Sequence, residues 1–182
     1  MRLFPPAAAL LAAVLVSACD GTGPVQPTDA LDARSAELQR PVAIMDACDP
    51  TTFNAALGPG TCVRNGGVTF QEFLAQLQAH GSADAWHFAP TILNARVGQT
   101  LLATNRGGEV HTFTEVEEFG GGIVESLNTL SGNPEQAPEC LTLDDDDFIA
   151  PGHTYSDEVE EAGTEHYQCC IHPWMRTTVT GR

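Results

Sequence analysis

Tyr167-Gln168-Cys169-Cys170-Ile171-His172-Pro173-Trp174-Met175-Arg176 places a thiol, an imidazole and a thioether within seven residues, Cys169 to Met175. The residues leading into it are β-prone, so the segment reads as a strand running into a loop. A type 1 copper site needs one cysteine, two histidines and a weak axial methionine. Thiolate is soft enough for Cu(I), imidazole suits both oxidation states, and a long thioether bond tunes the potential. Cys169, His172 and Met175 supply all but one histidine. That ligand has to come from a distant strand, because one short loop cannot fix a trigonal plane alone.

Among six histidines, His111 fits best. It follows Thr104-Asn105-Arg106-Gly107-Gly108-Glu109-Val110, a strand and a glycine turn leading into the next strand. His80 ends a helix, His87 sits in an early strand, and His153 follows the turn Pro151-Gly152. Strand alternation points His166 to the face opposite Cys169.

Further out, short β-prone runs separated by turns fall at 86–88, 92–97, 100–104, 110–116, 154–159, 166–170 and 177–180. This density predicts an all-β protein, a β-sandwich with Greek-key connections. A stretch rich in Gly, Asn and Pro, 117–138, reads as a long insertion with a helical turn near 124–130. Upstream, Thr69 and Glu72 match a capping box, and Phe70, Phe73, Leu74 and Leu77 keep helical spacing before Gly81. This predicts an amphipathic helix packed on the main domain. Cys48 and Cys62 bracket a loop carrying Pro50, Gly58, Pro59 and Gly60, which a disulfide would close.

These residues together resemble the cupredoxins, the type 1 blue copper proteins. The Cys-x-x-His-x-x-Met spacing of Cys169, His172 and Met175, with Pro173 after the histidine, is most similar to amicyanin and plastocyanin-like members. The resemblance covers roughly 86–182. It implies an eight-stranded or similar cupredoxin-like sandwich, with one copper ion at one end held by His111, Cys169, His172 and Met175. It also implies that His172 presents an imidazole edge through an apolar surface near Pro173 and Trp174, the electron-transfer surface.

Two departures stand out. Thr112 occupies the place after the first histidine where the family often has asparagine, which bears on the hydrogen bond tying the two ligand segments together; its hydroxyl offers a substitute. Cys170 adjoins the proposed ligand. Alternation sends Cys169 and Cys170 to opposite faces of an extended strand, so both cannot face one copper. With Cys169 as the ligand, Cys170 is left to pair with Cys140 and Cys48 with Cys62. A dinuclear centre would need two cysteines on one side with intervening residues, which the adjacent pair does not provide.

At the other end, Arg2, an apolar run over 7–16 and the small residues Ser17 and Ala18 read as a secretory signal, too short for a membrane-spanning helix. Val16-Ser17-Ala18-Cys19 resembles a bacterial lipobox, which makes Cys19 the expected lipidation site and the protein a membrane-anchored lipoprotein on the periplasmic or cell-envelope side. Export suits disulfides, and removing Cys19 from six cysteines leaves one unpaired. The expected division is a signal peptide at 1–18, a flexible tether at 19–45, a disulfide loop and helix at 46–85, and the copper domain at 86–182.

Charge and composition narrow the function. The chain of 182 residues carries 24 acidic side chains against 8 basic ones, a formal net charge of -16. All basic residues are arginines, so lysine-dependent chemistry, whether a P-loop, a Schiff base or a pyridoxal-phosphate site, is excluded. Scattered arginines on so acidic a chain argue against nucleic acid. The acidic runs at 115–118, 144–147 and 157–161 are either solvated faces or steering for a basic redox partner. The run at 144–147 lacks the spacing and glycine of a calcium loop. No Gly-x-Ser-x-Gly element occurs, and the histidines are not paired as multicopper oxidases require.

Four protein ligands leave little room for substrate. The expected function is thus single-electron transfer by a monomeric carrier that is no enzyme. The alternative is a copper storage, delivery or sensing module, against which a strand-fixed lone thiolate argues.

Overall fold

The computed structural model describes residues 38–182. The expected signal peptide, Cys19 and most of the expected tether lie outside these residues. Within them, eight strands form two four-stranded sheets. β1 (Gln39–Met45), β2 (His87–Ala89), β4 (Thr100–Asn105) and β6 (Thr154–Glu158) make one sheet, in the order β2-β1-β4-β6. β3 (Ile92–Ala95), β5 (Thr114–Val116), β7 (Gly163–Gln168) and β8 (Arg176–Gly181) make the other, in the order β3-β8-β7-β5. From β2 onward the chain changes sheet at every connection except the β7–β8 hairpin, which closes the two layers over one core.

Period-two burial sets the inner faces. Val42 and Ile44 of β1, Leu101, Ala103 and Asn105 of β4, and Thr177 and Val179 of β8 are buried. Phe113 stacks on Tyr167 at 4.5 Å between ring centroids and meets Phe88 edge-on at 5.2 Å. The sandwich is thus the all-β architecture read from the sequence.

β1 corrects the expected tether. Its residues fall within the stretch expected to be flexible, 19–45, yet they run parallel to β4, from Gln39 opposite Thr100 to Ile44 opposite Asn105. Alternating Val42 and Ile44 bury enough surface to hold this short strand between two neighbours. The sandwich therefore begins well before residue 86.

Two helices lie between β1 and β2. α1 (Pro50–Leu57) was read as loop; Asp49 caps it through Thr52, Pro50 opens it, and Phe53 is buried. The expected helix, α2 (Phe70–His80), has the capping box of Thr69 and Glu72 and ends at Gly81, whose φ of 71° is left-handed. Phe73 of α2 and Phe53 of α1 pack on Trp86 at 4.7 and 5.7 Å. The 117–138 stretch contains α3 (Glu125–Leu130). Its turn is held by Asn128, which accepts from the Gly122 amide at 2.7 Å and donates to the Gly122 carbonyl at 2.8 Å.

Both expected disulfides form, Cys48–Cys62 and Cys140–Cys170, leaving Cys169 as the free cysteine among the described residues. Among those residues no helix is long and apolar enough to cross a membrane.

Candidate metal centre

Cys169 follows β7 directly, and the chain then folds back on itself. The Cys169 amide donates to the Met175 carbonyl at 3.0 Å, and the Met175 amide to the His172 carbonyl at 2.9 Å. Arg176 braces this turn by donating from Nε to the Pro173 carbonyl at 2.7 Å. The insertion braces it from the other side: the Ile123 amide donates to the Cys170 carbonyl at 2.7 Å, and any Cβ at Gly122 would run into that carbonyl.

His111 comes from the segment before β5. A continuous strand over 110–116 was expected; instead β5 starts at Thr114, and His111 makes an isolated bridge with Ile149. The cause lies in Asn105 and Asp46, which curl the intervening chain. Asn105 Nδ2 donates to the carbonyls of Glu109 and Ile149, and its Oδ1 accepts from the Gly107 amide at 2.9 Å. Asp46 accepts from the amides of Gly108 and Glu109 at 2.8 and 3.0 Å. A Cβ at Gly107 would occupy the space of the Asp46 carboxylate.

The two segments meet at the sulfur. His111 Nδ1 and His172 Nδ1 each lie 3.8 Å from Cys169 Sγ, and all three residues are buried. The Thr112 amide donates to Cys169 Sγ at 3.4 Å, and the Cys170 amide donates to Thr112 Oγ1 at 2.8 Å. Thr112 thus ties the His111 and Cys169 segments together. Met175, on the same turn, is fully buried.

A metal ion fits this arrangement. Bonds of about 2.3 Å to sulfur and about 2.0 Å to nitrogen put the donor atoms about 3.5 Å apart at tetrahedral and about 3.7 Å apart at trigonal angles. The observed separations of 3.8 Å leave room for an ion bound to both.

Electrostatics prepare the donors. Burial pushes the Cys169 thiol up, but hydrogen bonding and charge from His111 and His172 outweigh it and hold the thiol well below its ordinary range. Burial pulls His111 down, yet Asp46 and Cys169 raise it to about 9. Asp46 Oδ2 lies 2.9 Å from His111 Nε2, so Nε2–H donates to the carboxylate and Nδ1 is left to face the sulfur. Burial alone would raise Asp46, but the hydrogen bond from His111 and the amides of Glu109 and Gly108 bring it down to about 2.

Sequence reading missed Asp46, Glu109 and Phe73 as parts of the site. Glu109, only 6% exposed, accepts from Trp86 Nε1 at 2.6 Å and lies 3.8 Å from His172 Nε2. Desolvation raises its carboxyl despite the attraction of His172. Phe73 of α2 meets His172 edge-on at 6.4 Å. Asp46 ends the alternating run of β1, and that run was the signal that could have found it.

His172 is 3% exposed: Phe73, Trp174 and Glu109 lie against it, and the edge it keeps borders an apolar cavity beside α2. Pro173 is buried as well, and Trp174, half-buried, sits 5.4 Å from His172 in a T-shaped pair. His80, His87, His153 and His166 stay outside the cluster. His166 Nδ1 lies 3.3 Å from the Glu117 carbonyl instead.

Comparison with known proteins finds no matching family model and no matching curated protein. Among solved structures, the chain is similar to a purple cupredoxin from Nitrosopumilus maritimus, at 16% identity over 78% of this chain and 98% of that one, with a TM-score of 0.44. It is also similar to a Cu(I) mutant of amicyanin, at 24% identity over 53% of this chain and 73% of that one, TM-score 0.36. A reduced amicyanin mutant shows 27% identity over 50% and 70% of the two chains, TM-score 0.33. These overall likenesses are weak, and the chemistry of the site stands on its own residues.

Proposed function

We propose that this protein is a cupredoxin that carries single electrons on one type 1 copper ion. His111 Nδ1, Cys169 Sγ and His172 Nδ1 would hold the ion, with the buried thioether of Met175 as a fourth, weaker donor. The observation that carries this reading is the pair of 3.8 Å sulfur–nitrogen separations in a fully buried pocket. Copper, when bound, supplies reversible one-electron chemistry.

The chain's own residues make that chemistry fast and contained. Asp46 fixes the His111 tautomer, the Thr112 amide donates to the sulfur, and burial excludes water. The loop hydrogen bonds and the Cys140–Cys170 disulfide restrain the ligand positions. Trp174, half-buried against His172, offers a route outward.

Disulfides support an exported setting. We assign membrane attachment to lipidated Cys19 and take the partner to be a basic redox protein. Glu115, Asp157 and Glu165 gather around the Tyr167 hydroxyl, which donates to Asp157 at 3.0 Å and Glu165 at 3.2 Å. Burial, then mutual repulsion, raises Glu115. Such a face attracts a basic partner, and the attraction weakens as salt rises.

Cyclic voltammetry of the copper-loaded protein tests the carrier role. A reversible one-electron wave that survives repeated cycling in the presence of a Cu(I) chelator is expected. Loss of copper on reduction contradicts it and favours storage or delivery.

A further inference from the structure

A cavity of about 410 Å³ opens against the metal centre, walled by α1, α2 and α3 and floored by Glu109 and His172. Its walls are Phe53, Phe70, Phe73, Leu74, Leu127 and Leu130, with Ile171 beside His172. The volume falls at the small end of the range of about 300–1,000 Å³ found for small-molecule sites, and an apolar wall with few polar groups is their usual chemistry.

The polar floor is specific. Glu109 is nine-tenths buried, and its Oε2 faces Trp86 Nε1 and His172 Nε2. Its Oε1 takes no hydrogen bond from the described residues. Of the aromatic residues in the wall, Phe70 is the one left part-exposed; it meets the buried Phe53 edge-on at 5.3 Å, so its free surface continues an aromatic array.

From these we infer that the cavity binds a small, uncharged, hydroxyl-bearing aromatic molecule of one or two rings. Its rings would pack against Phe70, Leu74 and Leu127, and its hydroxyl would donate to Glu109 Oε1. Anions are excluded by the carboxylate at the floor and by the net charge of -16. Bound there, the molecule would touch His172. The site belongs to the helices and insertion outside the sandwich, and it does not depend on copper being the resident metal.

Three probes test it on the purified full chain, with and without copper: 2-naphthol, naphthalene and naphthalene-2-sulfonate, each followed by fluorescence titration. Saturable binding of 2-naphthol at one per chain is expected, about tenfold tighter than naphthalene for the one added hydrogen bond. The sulfonate should bind at least a hundredfold more weakly than the naphthol. Leu127→Trp, which fills the cavity, and Ser126→Trp, at its exposed rim, should each weaken 2-naphthol at least tenfold. The second variant guards against misfolding of the first. Absence of saturable binding, or binding unchanged in both variants, overturns the site. Equal affinity for naphthol and naphthalene overturns the role of Glu109.

Discussion

Asp46→Asn keeps the shape of the side chain that orients His111 but removes its charge. In the parent, a carboxyl held at about 2 against an ordinary 3.8 stabilises the metal-free fold by about 2 kcal/mol at neutral pH. A depressed carboxyl contributes fully above its unfolded value and loses that contribution as pH falls through the folded one. The parent's advantage over the variant should therefore shrink to about 1 kcal/mol at pH 3. Asparagine also turns an amino group toward chain amides that Asp46 accepts from, so the loss at pH 7 should lie between about 2 and 3 kcal/mol. Urea denaturation of the metal-free proteins from pH 7 to pH 3 reads both values. Copper affinity should fall by about 10- to 100-fold, since Nε2 of His111 loses its anionic acceptor. A variant as stable as the parent at pH 7, with unchanged copper affinity, refutes the idea that Asp46 organises the centre.

Other consequences can be checked beside it. In the metal-free protein His111, raised to about 9, holds a proton that copper must displace, so copper affinity should climb about tenfold per pH unit between about pH 7 and 8 and flatten above about 9 in competitive chelator titrations. Thr112→Val leaves the buried Cys170 amide without its acceptor and should lower stability by about 1–3 kcal/mol in urea melts. Replacing both Cys140 and Cys170 with alanine opens a cross-link spanning 30 residues and should cost about 3–4 kcal/mol in the same assay.

How far the sequence reveals this molecule depends on where the information sits. His172 and Met175 lie close to Cys169 in the chain, and their residue types carry coordination chemistry, so the C-terminal loop is legible residue by residue. His111 is legible because it follows a glycine turn into a β-prone run. The capping box at Thr69 and Glu72 encodes its helix locally. β1 is different: only pairing with β2 and β4 makes 39–45 a strand, and a short run opening on Gln39, Arg40 and Pro41 shows no such partners. Asp46 and Glu109 escape notice for the same reason, since their importance arises from contacts 65 residues away to His111 and 23 residues away to Trp86. The contact of Phe73 with His172 escapes notice because α2 is readable as a helix while the face it lands on is not.

The central claim is that Cys169 would bind copper through its thiolate, together with His111 and His172. Visible absorption and electron paramagnetic resonance after addition of Cu(II), with Cys169→Ser alongside, test it most directly. An intense thiolate-to-copper charge-transfer band with narrow copper hyperfine splitting, both lost in the variant, is the predicted result. A colourless protein, or an ordinary Cu(II) spectrum unchanged by Cys169→Ser, contradicts it.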